Sequence, residues 1–467
     1  MSKSCLKSRY EFLLLLSACT LGCGGGSKSR PSTRKDYSFT LPQDTNLYTE
    51  TAPTRDEAQI QAIVTMQSTL TGEDKLLIEY YDAGACYRWN EIARNLVAQN
   101  KVNPPKAARI YALLSVAQYD TLLWVYQVQA RHTARFPFET DTRVRLLAKR
   151  PLDMVSFPDP HLAVARASSQ VLKALFPANT GYLEALQERH SRSRLHAGVC
   201  FPTDGTVGAQ IGQLVAERTL AWAAQDNSNT PAPPLPTGPF YWYPDNGTSQ
   251  PPGAAVLPTW GLTKPWLLSD VAQIEPPPPP SEGSAEYAAN MAEVRQISDS
   301  RTSRQMTIAR YWAAGPGSAT PPGMWNEIAV ALTAKYELDE LQTAQLLSLL
   351  NRALMDASIS CWSVKYRYMV RRPSQVDPQI TLPIGLPNFP SYTSGHSTFS
   401  GTAATVLSYF FPTESESLHA MAEEASLSRI YGGIHFRHDC EQGIIQGGKL
   451  GAIAVAMAQS DGFPHYI

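Results

Sequence analysis

The sequence predicts an all-α protein built from two helical bundles that descend from one duplicated unit. Three observations carry this. Apolar residues recur at helical spacing nearly throughout, the 36 prolines gather between the helical stretches, and two long blocks repeat each other at a fixed offset. At 467 residues, 43% hydrophobic and 17% charged with a formal net charge of −1, the chain is globular in composition and long enough for more than one core. Nothing in this balance points to nucleic acid as a partner.

Taken in order, residues 1–19 read as an export leader: Lys3, Lys7 and Arg9 precede "FLLLLSAC", an apolar stretch too short to span a bilayer and ending in small residues. Leu16-Ser17-Ala18-Cys19 resembles the bacterial lipoprotein processing site, which implies acylation of Cys19, attachment to a membrane of the cell envelope, and a flexible tether over residues 20–50. The most apolar later stretch, Ile110 to Tyr126, contains Gln118 and Asp120 and is no membrane span. Cys23, Cys86, Cys200, Cys361 and Cys440 are scattered, suggesting neither a zinc site nor a disulfide framework.

Residues 51–225 and 321–467 are expected to form the two bundles. "WNEIARNLVAQ" from Trp89 is matched by "WNEIAVALTAK" from Trp325, and Asp120 and Asp356 each follow their Trp by 31 residues. At an offset of 235, His161 falls on His396, Ser193-Arg194 on Ser428-Arg429, Asp204 on Asp439, Gly208 on Gly443 and Gly212 on Gly447. From His161 to Gly212, 16 of 52 gapless positions are identical. Between the bundles, residues 226–320 contain proline runs that cannot be helix interior, two stretches that read as helices, and the aromatic segments "FYWYPDN" and "KPWLL" that should pack the connector onto a bundle.

The chemistry concentrates in the second bundle. "PSYTSGHSTFSG" opens a helix whose first N–H groups have no partner within it, so Ser394 and the Gly395 N–H can meet an oxyanion and His396 can move a proton. Upstream, Lys365 is followed after six residues by Arg372-Pro373. Downstream, Ser428-Arg429 is followed by His435 and Asp439, which on a helix share a face at i and i+4, so that the carboxylate would orient the imidazole. Three cations, a hydroxyl, a backbone N–H and two histidines suit a trianion.

These blocks resemble the signature shared by type 2 phosphatidic acid phosphatases, bacterial non-specific acid phosphatases and vanadium haloperoxidases, with Thr393 replacing the usual proline before Ser-Gly-His. The resemblance implies that Lys365, Arg372, Ser394, Gly395 and Arg429 bind the oxygens of phosphate or vanadate. It further implies that His435 attacks phosphorus or coordinates vanadium, that His396 is the acid/base and that Asp439 orients His435. Trp362 and Phe389 stand where chloroperoxidases of this family carry aromatic residues beside the halide. The first bundle keeps Arg194 and Asp204 but has Cys200 in place of His435 and Asp159-Pro160 in place of Ser394-Gly395, so it reads as a degenerate partner with a structural thiol. Two bundles in one chain, with the site in the second, resemble the haloperoxidase architecture, which implies vanadate-dependent oxidation of halide by hydrogen peroxide. The interval of only 33 residues from His396 to Arg429 instead resembles the phosphatases, which would hydrolyse a phosphomonoester without a cofactor. A non-catalytic oxyanion-binding envelope protein is the third alternative.

Overall fold

The computed structural model describes residues 38–42, 53–151, 155–245 and 253–467, so the expected leader, Cys19 and most of the tether lie outside the described residues. The first half contains α1 (Glu57–Ser68), α2 (Gly72–Tyr81), α3 (Ala85–Gln99), α4 (Pro104–Gln129), the single turn α5 (Pro137–Thr140), α6 (Pro160–Leu175), α7 (Thr180–His196) and α8 (Pro202–Ala223). The connector supplies α9 (Ala285–Ser300) and α10 (Ser303–Tyr311). The second half repeats the pattern with α11 (Thr320–Lys335), α12 (Glu340–Tyr368), α13 (Pro373–Val376), α14 (Gly395–Phe410), α15 (Ser415–Tyr431) and α16 (Arg437–Ser460). The described residues contain no β-strand, and none of their helices is long and apolar enough to cross a membrane.

The all-α fold and the duplication are as the sequence predicts, with one refinement. From α6 to α8 the offset to α14–α16 is 235, but α4 and α5 begin 236 residues before α12 and α13, so the first half holds one extra residue between α5 and α6. Helix starts are set by ordinary chemistry. Asn103 caps α4 ahead of Pro104, Asp339 and Gln342 form a capping box on α12, and Asp159 and Ser394 cap the equivalent helices α6 and α14.

The repeated glycines explain why the halves share a pattern. A Cβ at Gly447 would lie 2.2 Å from the Thr398 carbonyl oxygen, and one at Gly212 2.1 Å from that of Ala163, so α16 lies directly on α14, and α8 on α6, through backbone contact. At the molecular centre α4 packs along α12, which is buried nearly all round. One apolar cluster runs from Trp89 and Leu114 through Trp325 and Leu350 to Leu450, crossing both halves. Within it the amides Asn90, Asn326 and Asn351 and the hydroxyl of Ser115 form a hydrogen-bonded chain of 2.6 to 2.9 Å. Asn90 and Asn326, like Ser115 and Asn351, are equivalent positions of the repeat, so the chain straddles its symmetry axis.

The connector is part of this packing. The carboxylate of Asp356, fully buried on α12, accepts the backbone N–H groups of Trp266, Leu267 and Leu268, as its counterpart Asp120 accepts those of Thr40 and Leu41. Trp242 is buried and its backbone N–H donates to the carbonyl of Met369, the left-handed residue that ends α12.

Candidate active site

The ends of α12, α14, α15 and α16 meet around one buried locus. Met369, at φ 50°, turns the chain off α12 so that Arg372, the N-cap of α13, returns toward it. Arg372 donates through Nη1 to Nε2 of His435 at 2.9 Å and to the Ile434 carbonyl at 2.7 Å. Its Nε and Nη2 reach the Phe389 carbonyl. Lys365 places its Nζ against the carbonyls of Pro390, Ser391 and Thr393 at 2.8, 2.9 and 2.5 Å, so it shapes the loop leading into α14 as well as carrying charge. Arg429 donates to Ser428 Oγ at 2.8 Å and to the Ala309 carbonyl at 3.2 Å.

All three cations are buried, and their hydrogen bonds go to carbonyls, a serine and a histidine, not to carboxylates. Burial pushes Lys365 down to about 7, Arg372 to about 10 and Arg429 to about 9, and Arg372 depresses the other two further. The locus is short of negative charge, and a bound oxyanion would raise all three groups again and keep Lys365 protonated.

His435 is held by a carboxylate, but not on the helical face that its i, i+4 spacing predicts. It precedes the N-cap Phe436, and Asp439 occupies the third position of α16, where Oδ2 accepts the Phe436 N–H at 3.1 Å. The same Oδ2 lies 2.9 Å from His435 Nδ1 and 2.5 Å from Ser391 Oγ. A carboxylate can only accept, so Nδ1 carries the hydrogen and Nε2 the lone pair, into which Arg372 donates. Burial, then Arg372, holds the imidazole well below its ordinary value; burial would raise Asp439, but His438 and His435 hold it well below the carboxylate range.

His396, half-buried on the first turn of α14, sets Nε2 at 2.8 Å from the Trp312 carbonyl. That acceptor fixes the hydrogen on Nε2 and leaves Nδ1 as the exchangeable site; burial and the nearby Arg429 hold it well below its ordinary value. Ser394 caps α14 with its side-chain oxygen, and a Cβ at Gly395 would meet the ring of Trp362 at 3.5 Å. Trp362 and Phe389 lie together, centroids 4.8 Å apart, with Lys365 Nζ 5.7 and 5.0 Å from them and Arg372 5.0 Å from Phe389. The sequence-predicted residues therefore fall into one neighbourhood. His435 touches both Arg372 and Asp439, Trp362 and Phe389 flank the cations, and Arg429 and His396 lie on the α10 side. Ser391 and the Trp312 carbonyl were not foreseen. Ser391 sits three residues before Ser394 in a serine-rich loop, the one sequence signal available, whereas a backbone carbonyl leaves none.

The first half shows what a discharged version of this locus looks like. Gln129 stands where Lys365 does and gives its amide to the Val155 and Pro158 carbonyls, the counterparts of Pro390 and Thr393. Phe136 replaces Arg372, Arg194 pairs with Asp82, and Asp204 pairs with Arg55. Cys200 is buried with its thiol pushed well up by desolvation, so it is an inert sulfhydryl. Among the described residues no group of His, Cys, Asp and Glu could hold a metal ion by itself.

The chain is similar in part of its sequence and in its fold to known proteins. The family model of the PAP2 superfamily matches residues 345–462. Among solved structures, the chain is similar to the first bacterial vanadium-dependent iodoperoxidase with 26% identity and a TM-score of 0.65, over 79% of this chain and 95% of that one. It is also similar to a bacterial vanadium-dependent chloroperoxidase in its apo form (13% identity, TM-score 0.58, 78% of this chain and 96% of that one) and its holo form (14%, 0.59, 79% and 96%), which at such identity shows the shared fold. No curated protein matches the chain in sequence.

Proposed function

We propose, from the premise that residues 345–462 form a PAP2-superfamily domain and that the chain is an enzyme of that superfamily, that it oxidises halide with hydrogen peroxide at a vanadate held by His435. The observation that carries this is the cluster of three buried cations without carboxylate partners around an imidazole whose Nε2 keeps its lone pair. The donor set fits vanadate as it fits phosphate, because cations and N–H groups fixed in a dry site stabilise a five-coordinate oxyanion. His435 Nε2 would be the single protein ligand, with Arg372 moving from that nitrogen to an oxygen.

Bound vanadate supplies the activation of peroxide. The residues do the rest: Lys365, Arg372 and Arg429 balance the anion's charge, Ser394 and the Gly395 N–H orient it, and Asp439 keeps His435 in the Nδ1–H form. His396 exchanges a proton at Nδ1 while Nε2 stays tied to Trp312. Trp362 and Phe389 form an apolar, cation-backed wall suited to a soft halide.

The second reading, phosphomonoester hydrolysis through attack of His435 Nε2 on phosphorus, draws on the same nitrogen and on the PAP2 match itself. One pair of assays separates them. The vanadate-loaded chain is expected to oxidise iodide or bromide with hydrogen peroxide, with phosphate competing, and to turn over p-nitrophenyl phosphate slowly or not at all. Fast phosphatase turnover with no halide oxidation at saturating vanadate would reverse the assignment.

A further inference from the structure

Three hydroxyls, those of Ser394, Ser397 and Ser426, stand in a hydrogen-bonded row. Ser397 Oγ lies 2.9 Å from Ser394 Oγ and donates to it, and the Ser397 N–H reaches the same oxygen at 3.3 Å. Ser397 Oγ is in turn 2.8 Å from Ser426 Oγ on α15. A hydroxyl has one hydrogen and two lone pairs. With both lone pairs of Ser394 occupied, its own hydrogen points away from Ser397. With the hydrogen of Ser397 spent on Ser394, the hydrogen between Ser397 and Ser426 belongs to Ser426. The row therefore has one direction, from Ser426 through Ser397 to Ser394.

Its outer end opens on a groove of about 260 Å³ between α15 and α16, lined among others by Ser426, Cys440, Glu423, Glu441 and Arg437. Ser394 and Ser397 are wholly buried and Ser426 nearly so, which makes this a dry route between a carboxylate-bearing surface groove and the oxyanion site.

We propose that Ser426 and Ser397 are a proton relay that ends on Ser394 and serves the oxyanion there, separately from His396; the proposal rests on the reading that Ser394 binds an oxyanion. Oxidation of halide by peroxide consumes one proton for each hypohalous acid and water formed. In the relay, Ser394 releases its proton to the oxyanion and takes one from Ser397, Ser397 takes one from Ser426, and Ser426 takes one from water or a carboxyl group in the groove. One O–H bond breaks and one forms at each oxygen, so no charge remains on the row.

Two measurements test this, one without turnover. Neutron diffraction from deuterated crystals of the phosphate-bound protein should place the deuterons of Ser426, Ser397 and Ser394 on the sides facing Ser397, Ser394 and phosphate respectively. A Ser397 deuteron facing Ser426 overturns the relay; phosphate absent from the Ser394 site overturns the functional reading beneath it. In turnover, Ser426→Ala and Ser397→Ala should lower kcat about tenfold, at the low end of proton-transfer contributions, with KM for halide within about twofold of wild type. The solvent isotope effect should change from a multi-proton to a single-proton dependence, and Ser426→Thr should restore both. Variants with the wild-type kcat and isotope dependence, in an enzyme that is itself active, overturn the relay and leave the site assignment standing.

Discussion

Lys365 shows most plainly how one residue reports on the whole site. Its burial lowers it from 10.5 to about 7, so in the anion-free protein it loses its proton above about pH 7, while the unfolded chain keeps that proton up to its ordinary value. The unfolded state then binds more protons across this interval, and stability rises with pH. Above about pH 9 the buried thiols of Cys86, Cys200 and Cys440, which burial pushes upward, reverse the trend as the unfolded chain begins to release thiol protons. Between pH 7 and 9 the anion-free protein should gain roughly 1–2 kcal/mol. Excess sulfate, whose charge is constant there, should flatten the rise by holding Lys365 protonated. Thermal unfolding across this range with and without sulfate checks it; a sulfate-independent slope would mean that no anion reaches Lys365. The residue types of the site were legible because oxyanion chemistry demands them at recognisable spacings. Their present partners were not: the sequence cannot show that Lys365 gives its three hydrogens to carbonyls or that Arg372 rests on His435.

Among the elements, the start of α16 gathers the most contacts of the candidate site. One carboxylate oxygen of Asp439 caps the helix, accepts from Ser391 and fixes the tautomer of His435, so helix initiation and site chemistry share an atom. Replacing Asp439 with Asn keeps the size but offers an N–H2 as well as an oxygen, which allows His435 to carry its hydrogen on Nε2 instead. We expect Asp439→Asn to weaken oxyanion affinity by about 10- to 100-fold, the usual effect of losing a partner behind a ligand. Calorimetric titration with vanadate measures this, and unchanged affinity would contradict the tautomer argument. The helices themselves were legible from periodicity and from repeated glycines whose reason is now visible in the α14–α16 contact. The placement of His435 before the N-cap was not, because i, i+4 spacing is the same whether a residue lies within a helix or just outside it.

For the whole molecule, duplication explains why a half without the chemistry is retained. The apolar cluster and the Asn90–Asn326–Asn351–Ser115 chain run through both halves, so α12, which leads to Lys365, is buried partly by α4. The connector completes the enclosure, with Trp312 orienting His396 and Val256 accepting from Trp362. Residues 321–467 expressed alone should therefore lack a cooperative thermal transition, and a sharp one would show that the halves fold independently. The two-bundle outline was readable from the constant offset, whereas the connector's contribution was hidden because it works through backbone carbonyls and single aromatic contacts. The central claim, that the second half gathers a vanadate site whose ligand is His435, is tested most directly by titrating the wild type and His435→Ala with vanadate while following halide oxidation by hydrogen peroxide. The account predicts activity that rises with occupancy to saturation at one vanadate per chain in the wild type and is abolished in the variant together with tight binding; vanadate bound equally by both proteins, or bound without any halide oxidation, would contradict it.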